Sequence, residues 1–376
     1  MQCLVCGSAR VESIGKVGSK TFSITSDTKI CAMSANVHFC PNCGHLQKFH
    51  TPDEKIYIEG LYKSYEPHYL SGGSEPLVFT SDGPPVPRSF FVLEKFLPVI
   101  KKGPGKFLDI GTGNGNVIKS AQRLLAGWSL NAFDVTDIYK DEILKVPSVE
   151  NFYSGSINTI SGEKFDVITM WHSLEHIEDP AGTLNHIKKL LRDDGILIIQ
   201  VPDIMRNPYD LSVIDHCSHF SKGSLERLLI SAGLDIRLDA RDLIYNCLTL
   251  AAGIKDNIPR KRNVPADKNT GRQLFYLNEI INYFTMETGS KNYYIFGSGG
   301  ASACIYSQMP RKPLFFIDED DNKMGKKLDG VEIISAGAAK ENSIVLLPFF
   351  KDMAVKIIEN IKNGVSKKFN FRFVDF

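Results

Sequence analysis

The stretch Lys106-Phe-Leu-Asp-Ile-Gly-Thr-Gly-Asn-Gly-Asn116 limits the possible folds of this chain more than any other. Phe107 to Ile110 is an apolar run of strand length that leads straight into a turn with glycine at 111, 113 and 115. Glycines there let backbone N–H groups come close to a ligand. Val117 to Leu125 then has the apolar spacing of a helix leaving the turn. Strand, glycine turn and helix in this order make a nucleotide-type pocket. Leu130-Asn-Ala-Phe-Asp134 reads as the next strand, and it ends in an acid 23 residues after Gly111, the separation at which a carboxylate meets ribose hydroxyls. The turn reads G-x-G-x-G and lacks the third glycine at the spacing used by dinucleotide sites.

On these residues the chain resembles the class I S-adenosylmethionine-dependent methyltransferases. The resemblance implies that Asp109, the acid of the D-x-G-x-G-x-G run, lies near the amino-acid end of the cofactor and that Asp134 binds its ribose.

With 376 residues the chain is long enough for two or three domains, and 43% hydrophobic residues supply ample core. A net charge of +1 gives no sign of a polyanion as the main partner. No apolar run approaches the ~18 residues of a membrane span, and Met1-Gln-Cys-Leu-Val-Cys6 does not read as a signal peptide. The expectation is a cytoplasmic protein without a membrane partner.

Five of the eight cysteines crowd the first segment. Cys3-x-x-Cys6 and Cys40-Pro-Asn-Cys43 form two knuckles 33 residues apart, each able to place two thiolates on one side of a tetrahedral zinc ion. Four protein ligands leave no open coordination position, so the zinc is read as structural. Cys31, His38 and His45 are read as neighbours rather than ligands. Two disulfides are the alternative, and the missing signal peptide speaks against them.

Residues 56–75 carry Tyr62, Tyr65 and Tyr69 among small polar residues and read as a linker that folds over a neighbour, either as a lid on the cofactor or as packing at a domain junction. Arg88 to Ile100 has helical apolar spacing. From Phe107 onward strands and helices alternate, which predicts a largely parallel sheet covered on both faces. Further strands are expected at Val149 to Tyr153, Phe165 to Met170 and Gly195 to Val201, with a late strand at Asn246 to Ala252 that the resemblance assigns to an antiparallel edge hairpin. Ligands of open sheets gather at the carboxyl ends of strands, so Trp171 and His172 should face the same cleft as Gly111, Gly113 and Gly115. With Asp109, Asp134 and the lid residue Tyr69 they complete the expected cofactor site.

Two histidine-bearing stretches fall where an acceptor would lie: Met170 to Pro180, containing His176, and Ile214 to Ser221, containing Asp215, His216 and His219. Methyl transfer needs in-line positioning, and a base as well when the acceptor is a hydroxyl or a carbon acid. An imidazole beside a carboxylate suits that role. Asp215-His216 is the preferred base region, with His176 as the second candidate.

After the charged segment Lys255 to Pro265, read as a linker with its basic cluster Arg260-Lys261-Arg262, a helix is expected from Thr270 to Glu287. Tyr293 to Phe296 followed by Gly297-Ser-Gly299-x-x-Ser302, and Leu314 to Ile317 followed by Asp318, make a second Rossmann-like unit. The run from Phe316 to Val331 resembles the carboxyl-terminal domain of sugar C-methyltransferases. The resemblance to that three-domain family then spans the chain: a zinc-binding module at 1–60, a class I methyltransferase domain at 61–255 and a Rossmann-like domain at 256–376, all within an α/β fold. It implies methylation of a nucleotide-linked keto-sugar. The family's active-site run Tyr-His-Glu-His aligns with Val213-Ile-Asp215-His216, of which the last histidine is retained.

The leading expectation is a methyltransferase for a nucleotide-linked or polysaccharide-destined sugar, at carbon or oxygen. Its rivals are a nucleic-acid or protein methyltransferase that grips its substrate with the zinc module, an NAD-linked enzyme using Gly297 to Asp318, and a cofactor-binding scaffold without chemistry. The basic residues form no stripe, which disfavours nucleic acid.

Overall fold

The computed structural model describes residues 1–78, 84–254, 264–289 and 291–375. Its central sheet has seven strands: β1 (Lys106–Ile110), β2 (Ser129–Asp134), β3 (Val149–Ser154), β4 (Phe165–Trp171), β5 (Leu191–Pro202), β6 (Leu234–Asp239) and β7 (Cys247–Ile254). Their order is β3-β2-β1-β4-β5-β7-β6. The inner pairs are parallel, whereas β7 runs antiparallel to both β5 and β6 and so forms the expected edge hairpin. Every residue of β4 is buried, as are Gly195 to Pro202 of β5. A strand covered on both faces reads as a continuous apolar run rather than an alternation, and these two do. The helices Arg88–Phe96 and Asn116–Leu124 cover one face through Val92, Leu93, Phe96, Ile118 and Ala121. Pro180–Leu190 and Lys222–Ser231 cover the other through Leu184, Ile187, Leu225 and Leu228.

The amino-terminal segment builds a sheet from Glu12–Gly15, Val37–Phe39 and Leu46–Lys48, and its fourth strand, Ser218–His219, comes from the central unit. Where a linker is expected, residues Pro52–Tyr62 form a helix, capped by Thr51 and Glu54 in a reciprocal box with Pro52 in its first turn. The expected linker at 255–265 and the basic cluster at 260–262 lie outside the described residues, apart from Val264 and Pro265.

The last third forms a six-stranded sheet in the order Lys327–Leu328, Val331–Ile334, Phe316–Ile317, Tyr293–Phe296, Ile344–Phe350, Asn370–Val374, parallel except for its first pair. The helix there runs from Gln273 to Thr288. One apolar cluster joins all three parts: Val17, Ile24 and Leu46 from the amino-terminal segment, Ile204, Leu211 and Val213 from the central unit, and Leu277, Phe284 and Ile305 from the last third.

Candidate functional site

The glycine turn owes its shape to its neighbours. Gly111, Gly113 and Gly115 have φ of 75°, 51° and 79°, in the left-handed region. A Cβ at Gly111 would lie 2.5 Å from the Cβ of Ser173, whose hydroxyl donates to the Ile110 carbonyl (3.0 Å). The turn after β4 therefore closes directly on the turn after β1.

Asp109 is buried. Its Oδ1 accepts from the Thr169 hydroxyl at 2.6 Å, while Oδ2 has no hydrogen-bond partner among the described residues. Burial pushes its carboxyl up to about 7, against the pull of the hydroxyl donors. Asp134 accepts from the Gly113 N–H at 2.9 Å and the Thr136 N–H at 3.2 Å, and burial raises it more than these donors lower it. An orphaned buried carboxylate oxygen beside a glycine turn, and a second acid on that turn, fit the ammonium and the ribose of S-adenosylmethionine.

Trp171 is buried at the end of β4, with its indole N–H unpartnered among the described residues. His172, at φ 51°, donates its backbone N–H to the Gln200 carbonyl and brings Nδ1 within 3.3 Å of buried Glu175. Burial opposes its charge, but Cys247 and Glu175 outweigh that and raise it to about 9. Arg88, read from the sequence only as the start of a helix, is half-buried, has no side-chain partner among the described residues, and lies near enough to His68 to add to the burial that depresses it. An unpaired cation at the start of the helix before β1 suits a cofactor carboxylate. Its sequence signal is weak, one arginine after a proline cluster.

The tyrosine loop does lie over the glycine turn, but through its backbone: the Asn114 amide donates to the Gly73 carbonyl at 2.7 Å, and Pro67 is the nearest neighbour of a Cβ built at Gly113. Tyr69 departs from its expected place. Its ring lies under the Lys29 ammonium, 5.7 Å away, and packs on the three-part cluster.

The histidines gather as expected, but their partners differ. Asp215 does not serve His216. Its Oδ1 and Oδ2 accept from the Ser26 N–H (2.9 Å) and hydroxyl (2.6 Å), and Oδ2 lies 3.3 Å from His176 Nδ1. His216 Nδ1 lies 2.7 Å from Asp210 Oδ1, and His219 Nδ1 lies 2.5 Å from the other oxygen of the same carboxylate. Residues 213–216 form a turn in which the His216 N–H donates to the Val213 carbonyl, and the pairing Asp215-His216 gives way to Asp215 with His176 and Asp210 with His216. Burial works against both carboxylates, yet the imidazoles hold each well below the usual carboxylate range. Burial likewise opposes charge on His176, and Asp215 raises it above the ordinary imidazole value. The rings of His176 and His216 meet edge to face at 4.6 Å, and the Tyr62 hydroxyl is 3.0 Å from His176 Nδ1.

His176 and Asp215 open on a cavity of about 250 Å³ that is also lined by His50, Lys55, Tyr62 and Cys217, with Ile58 as its one aliphatic wall among the described residues. His176 is also near enough to Asp134 to lower it electrostatically, a minor effect beside burial and the backbone donors.

At the other end of the amino-terminal segment the thiols of Cys3, Cys6, Cys40 and Cys43 converge within 4.8 Å of one another. Cys3 to Cys43 is 3.5 Å and Cys6 to Cys40 is 3.7 Å, near the about 3.8 Å that four 2.3 Å zinc–sulfur bonds impose on a tetrahedron. The two knuckles repeat one geometry, with the N–H of Gly7 and of Gly44 donating to the carbonyl of the first cysteine in each. The donor set fits zinc. His38 bonds the Asn36 carbonyl, His45 lies 3.3 Å from the Ser218 hydroxyl and Cys31 faces the Met33 carbonyl, so none of the three joins the cluster. In the second glycine turn Asp318 Oδ2 already accepts from the Ser298 N–H and hydroxyl and from Lys323, which leaves it poorly placed for a dinucleotide ribose.

Residues 90–238 match the family described as a methyltransferase domain. The chain is 31% identical over 121 residues to a ubiquinone biosynthesis O-methyltransferase of Haemophilus ducreyi, an alignment that covers 29% of this chain and 50% of that protein. It is 28% identical over 183 residues to the Psychrobacter arcticus protein of the same name, covering 41% and 67%. The chain thus spans about half the length of the first of these relatives. Among solved structures, the Burkholderia thailandensis 1,6-didemethyltoxoflavin-N1-methyltransferase, with S-adenosylhomocysteine bound, superposes with a TM-score of 0.42 at 18% identity, covering 56% of this chain and 96% of that one. The match to a methyltransferase domain thus covers most of the seven-stranded central unit. Among the described residues no helix is long and apolar enough to cross a membrane.

Proposed function

We propose that the chain transfers a methyl group from S-adenosylmethionine to a hydroxylated small molecule, with a nucleotide-linked sugar as the acceptor class and carbon or oxygen as the atom methylated. The observation that carries this reading is the His176 and Asp215 pair opening on a cavity lined by ionisable side chains. The residues suited to the cofactor are the turn from Gly111 to Gly115, Asp134 for the ribose, Asp109 for the ammonium and Arg88 for the carboxylate, with Trp171 and His172 at the cleft floor. When bound, S-adenosylmethionine supplies a methyl group activated on a sulfonium sulfur.

The chain's own residues then orient the acceptor and take its proton. With the Nδ1 proton of His176 shared between the carbonyl (3.1 Å) and carboxylate of Asp215, Nε2 is the basic nitrogen. His216, held edge-on behind it by Asp210, is the alternative base. The four cysteines hold a structural zinc, because a closed set of thiolates leaves no position for chemistry. In this reading 1–60 is the zinc module, 61–255 the methyltransferase unit and 256–376 a second Rossmann-like unit, as in sugar C-methyltransferases.

The relatives' names favour a second reading, O-methylation of a phenolic ring. The ionisable groups of the cavity, His50, Lys55, Glu59, Glu178 and Asp215 beside Ile58 and Cys217, suit a hydroxylated acceptor better than a polyprenylated ring, which calls for apolar walls. Transfer of labelled methyl to a panel of nucleotide-sugars and of polyprenyl phenols decides between them. Label in the sugars, with a loss of about 10²–10⁴-fold in His176→Asn at unchanged cofactor affinity, is the expected outcome. Label confined to the phenols overturns the acceptor class, and a comparable loss in His216→Asn alone moves the base there.

A further inference from the structure

Ser26 belongs to the amino-terminal segment, remote in sequence from every residue of the methyltransferase domain, yet it holds the carboxylate on which His176 depends. It stands just after the short strand Ser23–Ile24, whose Ile24 carbonyl accepts from the Ile214 N–H, and this pins the two segments side by side. From there Ser26 donates its backbone N–H to Asp215 Oδ1 (2.9 Å) and its hydroxyl to Oδ2 (2.6 Å), the same oxygen that lies 3.3 Å from His176 Nδ1. Asp215 is fully buried, so these donors stand where water would otherwise solvate the charge. The Tyr62 hydroxyl lies 3.0 Å from the same Nδ1 of His176.

We propose that Ser26 is a positioning residue of the methyl-transfer site: it locks the Asp215 carboxylate against His176 and takes up part of its charge, so that the imidazole stays available as a base. The inference rests on the reading of His176 as the group that takes the acceptor's proton. It makes the amino-terminal segment part of the reaction centre and not only a support for it.

The groups that face this pair come from several elements. Glu175 lies on the same turn as His176, while His216 and Cys217 flank Asp215 in its own segment. Lys48 approaches from the inner strand Leu46–Lys48 and Tyr62 from the helix Pro52–Tyr62. None of these donates to Asp215 Oδ2. With the serine hydroxyl gone, His176 Nδ1 at 3.3 Å is the one group among the described residues still paired with that oxygen, and the less compensated carboxylate holds the imidazole's proton more firmly.

The test is a nuclear magnetic resonance titration of His176 in the full-length protein labelled at histidine, run alongside turnover. In Ser26→Ala, His176 is expected to titrate at higher pH than in the parent. The acid limb of kcat/KM should move the same way, and kcat at neutral pH should fall by about tenfold, the scale of one charge-assisted hydrogen bond. KM for the acceptor should hold within a few-fold, and Ser26→Thr, which keeps the hydroxyl, should restore both the titration and the rate. A His176 titration that stays put or moves down overturns the proposal. So does a rate loss that Ser26→Thr fails to rescue, which would mark a packing role. A shifted titration in an enzyme whose His176→Asn variant turns over normally overturns instead the role of His176 in the reaction.

Discussion

Asp109 and Asp134 end neighbouring strands, but their surroundings give them different tasks. Asp134 already has two backbone donors and rests as a partly satisfied acceptor, whereas Asp109 keeps one oxygen without a donor among the described residues. With its carboxyl raised to about 7 in the folded chain, Asp109 is protonated in both folded and unfolded states only below the ordinary carboxylate range, and there it costs no stability. As pH rises from that range toward 7, the unfolded chain releases the proton first and the ligand-free protein loses stability. A cofactor ammonium beside Asp109 reverses the sign, because the ionised form gains a partner on binding. S-adenosylmethionine affinity should therefore tighten between pH 5.5 and 7.5, by at most about tenfold per unit below 7. Calorimetry on Asp109→Asn should show that slope flattened. Asp134→Ala should bind more weakly at every pH, by about 1.5–3 kcal/mol for each charge-assisted bond lost. A parent affinity that does not change with pH would remove Asp109 from the ammonium site.

At the scale of elements, the segments that were legible in the sequence are those whose burial writes itself as composition. The strands β1, β4 and β5 are apolar runs, and the two cysteine knuckles have a fixed spacing. The helix Pro52–Tyr62 was harder to read because Ile56 and Tyr57 are exposed and no apolar stripe forms, although Thr51 with Glu54 and a proline in the first turn is a capping signature. The strand β6, Leu-Asp-Ile-Arg-Leu-Asp, carries the period-two alternation of a half-buried edge and is likewise absent from the sequence reading. Asp210 as the partner of His216, and Ser26 as that of Asp215, have no sequence signal, because nothing local aims those side chains. The knuckles yield the prediction at this scale. One zinc ion per chain is expected by metal analysis, and Cys40→Ser should lose it and melt at lower temperature, since thiolate–zinc binding is itself folding free energy. The damage should reach Leu46–Lys48, which follows the second knuckle and pairs with Ser218–His219. A Cys40→Ser protein that melts like the parent would falsify the metal reading.

The molecule as a whole is held by contacts that ignore the boundaries suggested by its motifs. The Gly18 N–H donates to the Asn278 side chain (2.7 Å), the Gln308 amide to the Phe22 carbonyl (3.0 Å), and the Thr270 hydroxyl to the Gly44 carbonyl beside the second knuckle. Leu277 and Phe284, fully buried on one helix of the last third, pack in the cluster that contains Tyr209 and Leu211, which bracket Asp210. Truncating such a side chain leaves a cavity that costs about 2–5 kcal/mol. Because the cluster is common to all three parts, that loss should not be confined to the last third. Scanning calorimetry of the parent should show one main unfolding transition, and Leu277→Ala should move it as a whole to lower temperature. The same variant should lower S-adenosylmethionine turnover near its melting range by loosening the His216 and Asp210 pair. Two well-separated transitions in the parent, with Leu277→Ala shifting only one of them, would show that the last third folds independently of the methyltransferase unit. The shared cluster would then be an interface between finished domains, and turnover in Leu277→Ala should follow the parent up to the melting point of the unshifted transition.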